Sequence, residues 1–363
     1  MRTAINRQWL LASRPRDTVA EADFSYCEAP LPAIGDGQFL VRTLYVSLDT
    51  ELHGWLTGSP VRRTRAIDPC HDATFAGHGR MLTPGAHSPP LPVGAVMRGP
   101  ALGQVVESRH HGFAAGDFVS GLLGWQQYSA SDGVGEFPVS RFEPVHPLPR
   151  YLGALGGNGL TAYFGMLHVA QLRAGETVLV SAAAGATGAT AAQIAKLKDC
   201  RVVGIAGGRD ERCWLTEHLE LDAAIDHRSE DLDERLGALC PDGVDVCFDN
   251  VGGRTLAVVL GHMATWGRIA LCGMISGDDD RAPRPGNLAY LITRRIRMEG
   301  FLVADHAPRF KEARRQISAW LATGALKSCE HVHEGFEAIP RVFLGRVDGA
   351  NIGTAMARLG DPA

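Results

Sequence analysis

Two rhythms of apolar and polar positions divide the chain. Up to about residue 130, short alternating stretches interrupted by Gly and Pro predict strands, among them 38–47, 103–108 and 117–123. From about 152 to 303, apolar runs of four to six residues alternate with stretches of ten or so at helical spacing, the pattern of βαβ units feeding a parallel sheet. Strands are expected at 177–181, 201–205, 223–226, 244–249 and 268–272, and helices at 189–198, 210–218, 231–239 and 255–263. A helix at 308–323 leads to a strand-like tail at 352–357, which is expected to rejoin the β part. The predicted fold class is thus α/β, a doubly wound parallel sheet inserted in a mostly-β domain. The segment 57–90 fits neither rhythm. It carries Arg62, Arg63, Arg65, His71, His78 and His87 among several Gly and Pro, and stretches of that length are functional lids or disordered.

At 363 residues, with 45% hydrophobic and 21% charged positions and a mean hydropathy of -0.03, the chain has room for two domains and the composition of a globular protein. A formal charge of -4 gives no basic field for nucleic acid or an anionic membrane surface. No apolar run approaches the roughly 18 residues of a membrane span, and Met1 to Trp9 is followed by no apolar signal core, so a cytoplasmic protein is expected. Eight cysteines lie scattered without a CxxC pair, which points to reduced thiols and away from a disulfide frame or structural zinc. Cys70, His71 and His78 have nothing beside them to fix a tetrahedral geometry, and no metal is expected. His331 and His333 alternate on a strand face as packed or solvated side chains.

The sharpest chemical signal is Ala182-x-x-Gly185-x-x-Gly188, set between an apolar strand and a helix of small residues. A diphosphate suits the free amides of a helix N-terminus; Gly185 opens the approach and Gly188 lets the helix press on the strand. The next strand ends in Gly207-Gly208-Arg209-Asp210-Glu211-Arg212. An NAD enzyme presents an acid near this point, whereas Arg209 and Arg212 suit the 2′-phosphate of NADPH. Asp210 or Glu211 accepting from a ribose hydroxyl would reverse that preference. Asn250, after the strand at 244–249, is either a donor to the nicotinamide or its ribose, or a turn former.

These motifs, with Asn6 to Pro15, Gly159-Leu-Thr-Ala-Tyr-Phe-Gly165, Phe248-Asp-Asn-Val-Gly-Gly253 and Asn351-Ile-Gly353, resemble the zinc-independent medium-chain dehydrogenase/reductases. Within them the chain is most similar to the prostaglandin reductase and leukotriene hydroxydehydrogenase branch, over nearly its whole length except about 57–90. The resemblance implies a GroES-like domain, 1–130 with 304–363, split around a Rossmann domain, 131–303. It also implies a homodimer and NADPH-dependent reduction of a double bond conjugated to a carbonyl in a small molecule. By motif it places Thr161, Gly185, Ala186, Thr187, Gly188 and Gly208 at the cofactor, and Arg209, Arg212 and His227 near its 2′-phosphate. Asn250, Cys272, Gly273, Met274, Ile275, Ser276, Phe301, Leu302, Val303 and Asn351 would line the nicotinamide half. His227 stands where the family commonly has tyrosine; an imidazole donates better when protonated, so cofactor binding would weaken as pH rises.

The substrate side departs from the family pattern. Its Ser-x-Tyr-Asn, whose tyrosine approaches the substrate carbonyl, reads here Ser276-Gly277-Asp278-Asp279; its Asp-Pro-Tyr-Met-Arg-Gly reads Asp49-Thr50-Glu51-Leu52-His53-Gly54; and its Met-Pro reads Gly157-Asn158. An ionised Asp278 would repel the enolate that hydride addition creates. The leading reading keeps hydride delivery to the β carbon of an α,β-unsaturated carbonyl. The catalytic group is unassigned: Tyr163, Tyr290, His53 and Asn158 are side chains to test, and a neutral Asp278 could itself donate. Two readings stand beside it: reduction of a carbonyl, a quinone or an intermediate of a specialised route, and an NADPH-binding protein without turnover.

Overall fold

The N-terminal alternation becomes an antiparallel pair, β1 (Ile5–Leu11) and β2 (Phe24–Pro30), in which Trp9 lies opposite Tyr26 with ring centroids 5.6 Å apart. The computed structural model describes residues 5–15, 18–48, 56, 90–134, 138–273, 286–347 and 352–362. β3 (Phe39–Ser47) is the buried centre of a second sheet, with Phe39, Leu40, Val41, Leu44 and Val46 all inside. It pairs with β4 (Pro100–Ser108), which pairs with β5 (Phe118–Leu122); β6 (Tyr128–Ser131) lies on β3, and β7 (Ser140–Arg141) on β5. Gly103 allows the β3–β4 approach, because a Cβ there would stand 2.3 Å from Val41 Cγ1. Leu56 and Leu91, at the two roots of the 57–90 segment, are buried in the same core. One guanidinium holds both roots: Arg14 Nη1 donates to Leu56 O at 3.2 Å and Nη2 to Leu91 O at 2.8 Å.

In the second unit the apolar runs form a parallel sheet of β8 (Thr177–Val180), β9 (Arg201–Ala206), β10 (Ala223–Asp226), β11 (Val244–Asp249), β12 (Met263–Leu271) and β13 (Arg297–Gly300). Among the described residues its order is β10-β9-β8-β11-β12-β13. Chain order therefore reverses between β8 and β11, and ligands of doubly wound sheets bind outside the carboxyl ends of the strands at such a point. Its helices are α1 (Gly157–Phe164), α2 (Ala186–Lys196), α3 (Arg209–Cys213), α4 (Leu232–Leu239), α5 (Gly253–His262), α6 (Ala289–Thr293) and α7 (Phe310–Ala322). Asp231 starts α4 by accepting from Glu234 N at 3.0 Å.

The chain then returns. β14 (Glu330–Glu334) and β15 (Thr354–Arg358), with α8 (Ile339–Val347) between them, complete the first unit's sheet in the order β14-β15-β3-β4-β5-β7. The α/β unit is thus inserted in the mostly-β one. The units comprise Met1–Leu152, Glu330–Ala350 and Thr354–Ala363, against Gly153–Cys329 and Asn351–Gly353, so the boundaries fall later than the expected 130/131 and 303/304. β7 pairs with β5, and Leu148 and Leu152 pack with Leu44, Leu102 and Met356, which keeps 131–152 in the β unit. Helix α7 buries Phe310, Ala313, Ile317 and Leu321, and Arg314 Nε donates to Leu155 O at 3.0 Å, which keeps 304–329 in the α/β unit. No helix among the described residues is long and apolar enough to cross a membrane.

Candidate functional site

The turn from β8 to α2 is built around backbone contact. Ala182 takes a left-handed conformation, φ 47°, and its carbonyl turns against α2, where a Cβ on Gly188 would stand 2.3 Å away. Gly188 is therefore a packing requirement. Gly185 is the N-cap, and no side chain caps the helix, so the amide end at Ala186, Thr187 and Gly188 is left for a ligand. Asn158, weighed above as a catalytic group, accepts from Thr187 Oγ1 at 2.9 Å and pins that first turn to α1. Thr161 lies half-buried on the same helix. Gly353 N donates to Ala184 O at 2.8 Å and pairs with Gly185, so the segment that ends in Gly353 reaches the cradle; Asn351 itself lies outside the described residues.

At the end of β11 one buried residue, through its carboxylate and its backbone carbonyl, ties three strand ends together. Asp249, 1% exposed, accepts from Ser181 Oγ at 2.6 Å and from the amides of Val251 and Gly252 at 3.1 and 3.0 Å. Its own carbonyl accepts from Cys272 N at 2.8 Å and Gly273 N at 3.2 Å. Burial pushes the Asp249 carboxyl above its usual range, against the pull of those three donors. Asn250, expected to donate to the nicotinamide half, turns its amide into the fold: Nδ2 donates to Ser181 O at 2.7 Å. Ser181 and Asp249 were missed in the sequence, though each is a polar residue closing an apolar strand. Cys272 and Gly273 stand half-buried at the same edge, while Met274, Ile275, Ser276, Asp278 and His53 lie outside the described residues.

Phe301 and Tyr163, both expected at the site, also make packing contacts. The Phe301 ring lies 6.4 Å from that of Phe248, and both press on Gly165, where a Cβ would stand 2.6 and 2.5 Å from them. Val303 is buried, with Leu302 half-buried before it. Tyr163 is buried among Phe164, His168 and Trp320, and that burial pushes its phenol up. Tyr290 lies under the Arg294 guanidinium, 4.9 Å from it, while Arg294 Nη1 donates to Gly261 O and Met263 O at 2.7 and 2.6 Å. Met263 begins β12, so Tyr290 sits toward the amino end of that strand, opposite the cradle edge.

At the carboxyl end of β9, Gly208 precedes α3 with no atom within 4 Å of where a Cβ would lie. Arg209 is exposed and Arg212 half-buried beyond it, and the exposed His227 donates its backbone N–H to Ala206 O at 3.1 Å. Glu211 Oε2 accepts from Gly207 N at 2.7 Å. No described cysteine is disulfide-bonded, and burial pushes the Cys200 thiol up to about 11. Among the described residues no three His, Cys, Asp or Glu side chains come together to hold a metal; Cys70, His71 and His78 lie outside that set.

A family model described as zinc-binding dehydrogenase matches residues 186–319, and one described as the N-terminal domain of oxidoreductase matches 7–67 and 76–139. The chain is 35% identical over 367 residues to the NADPH-dependent curcumin reductase of Escherichia coli (strain K12), covering 98% of this chain and 97% of that protein. It is 35% identical over 358 residues to prostaglandin reductase 1 of Mus musculus, covering 97% and 98%. The crystal structure of CurA in complex with NADPH from Vibrio vulnificus matches with a TM-score of 0.83 at 33% identity, over 98% of this chain and 100% of that one.

Proposed function

This chain belongs to the zinc-independent medium-chain dehydrogenase/reductases, in the branch of the prostaglandin and curcumin reductases, and from that membership we propose that it binds NADPH and reduces a small-molecule carbon–carbon double bond conjugated to a carbonyl. The observation that carries the reading is the uncapped N-terminus of α2 at the point where strand order reverses, closed by two glycines whose spacing fits a diphosphate. The chemistry a bound NADPH supplies is hydride transfer. The chain's own part is to hold and orient: the amides of Ala186, Thr187 and Gly188 bind the diphosphate, Asn158 fixes their turn, and the Asp249–Ser181–Asn250 network keeps the strand ends in register.

An enone that accepts hydride at its β carbon gathers charge on its oxygen, which must meet a donor or solvent. Tyr163 is packed and Tyr290 lies at the opposite edge, so neither offers that donor, while Asn158 accepts from Thr187 through its amide oxygen. With Asp278 where the family has tyrosine, the competing outcome is hydride delivery to the carbonyl carbon or to a quinone. Turnover of an enone panel with NADPH deuterated at C4, read by mass spectrometry, separates them. Deuterium at the β carbon is expected; deuterium at the carbinol carbon would sink double-bond reduction, and binding without turnover would leave a nucleotide-binding protein. A homodimer belongs to the same reading and is checked by light scattering.

A further inference from the structure

The end of β9 carries a cation that no motif assigned. The bond from His227 N to Ala206 O draws the exit of β10 to the carboxyl end of β9, and Arg228 follows at once. Its guanidinium comes over Gly207. The three heavy atoms nearest to where a Cβ on Gly207 would lie are Glu211 Oε2 at 3.4 Å, Arg228 Nη2 at 3.6 Å and Arg228 Cζ at 3.7 Å. A carboxylate and a guanidinium thus flank a glycine that has no side chain of its own.

Their bonding differs. Glu211 is anchored on the backbone of Gly207. Arg228 is exposed, and among the described residues its guanidinium enters no ion pair. The nearby Asp226 is engaged locally, accepting from Ser229 Oγ at 2.7 Å and from the backbone N–H of Arg228 at 3.0 Å. Glu230 Oε2 accepts from Asp226 N at 2.8 Å. A planar guanidinium at this strand end, which feels the charge of Asp226 but closes no ion pair with it, suits a phosphoryl group, which it grips with two parallel hydrogen bonds. A carboxylate fixed at the same end suits a ribose hydroxyl and repels a phosphate.

We propose that Arg228 is the residue that selects the 2′-phosphorylated dinucleotide, with Glu211 as its counterweight favouring the unphosphorylated one. The inference rests on the cofactor reading above and goes beyond it by moving the selection from the α3 arginines to the loop after β10. Arg209 and Arg212 then add field rather than the decisive contact.

Calorimetry on the full chain tests this without any substrate, using NADPH, NADH and adenosine 2′,5′-bisphosphate. Arg228→Gln is expected to weaken NADPH and the bisphosphate by roughly tenfold to a hundredfold and to leave NADH within about twofold, the range of one charged hydrogen-bonding contact. Glu211→Gln is expected to tighten NADPH and weaken NADH. Arg228→Lys, which keeps the charge and loses the fork, should fall between wild type and Arg228→Gln; unchanged NADH affinity reports that the two Arg228 variants are folded, and a wild-type urea midpoint reports the same for Glu211→Gln. An Arg228→Gln protein that keeps the wild-type preference, or a larger loss in Arg212→Gln, would overturn the assignment. Wild-type protein that binds neither dinucleotide would overturn the cofactor reading itself, and this inference with it.

Discussion

A Cβ at position 188 would stand 2.3 Å from Ala182 O and 2.9 Å from Ala183 Cα, both backbone atoms that no rotamer change can move. Gly188→Ala is therefore expected to cost about 1–3 kcal/mol in urea unfolding, the usual range for overpacking, and to weaken NADPH binding as the turn shifts. Gly185→Ala meets the same carbonyl at 3.3 Å and should cost clearly less; equal losses would show that the contact does not set the difference. Asp249→Ala strands Ser181 Oγ and the Val251 and Gly252 amides inside the protein, so a loss of about 3 kcal/mol is expected, and a loss under 1 kcal/mol would mean water replaces the carboxylate. Gly188 was legible in the sequence because its contact with the Ala182 carbonyl leaves no room for a side chain. Ser181 and Asp249 were not: 68 positions separate them, and they meet only because β8 lies beside β11.

Among the elements, the parallel strands were the most legible, since strands covered on both faces read as unbroken apolar runs. The sequence places the start of α2 at 189, three residues late, because Gly188 is a poor helix former that hides the first turn, and that turn is the functional one. Helix α8 went unseen behind Pro340 near its start. A further element contact has a pH signature. His306 stacks on Phe164 of α1 at 4.5 Å, and His168, in the turn after α1, accepts at Nδ1 from Arg309 at 3.3 Å while its Nε2 is buried without a partner. Burial lowers the pKa of both imidazoles, helped at each by the charge of Arg309 and opposed by Glu312 at His168 and by Asp305 and Glu299 at His306. Folded-state pKa values below the unfolded value of about 6.5 mean that this stability is complete above pH 6.5 and is lost as pH falls through the folded values. Unfolding at pH 7.5 and 5.5 should show the loss, and His306→Phe, which keeps the stack without a titrating ring, should lose less. Parallel behaviour of the two proteins would exclude His306 as a source.

For the molecule as a whole, interleaving of the two units was legible in outline, because the tail at 352–357 reads as a strand far from the first strands it must join. The exact seams were not, since they depend on which side β7 and α7 pack, and neither segment's own pattern says so. The Arg14 clamp has its effect at this scale. With Leu56 and Leu91 both seated in one core and hung from a single guanidinium, the 33 positions between residues 57 and 89 leave and re-enter at one place. Closure entropy changes by only about 0.6 kcal/mol per doubling of length, so exchanging 57–89 for a short Gly-Ser bridge should leave the urea midpoint nearly unmoved, whereas Arg14→Ala should lower it. A bridged protein that unfolds earlier than Arg14→Ala would show the opposite order of importance. Because both ends are fastened at one point, a change in the length of that stretch need not displace the strands on either side.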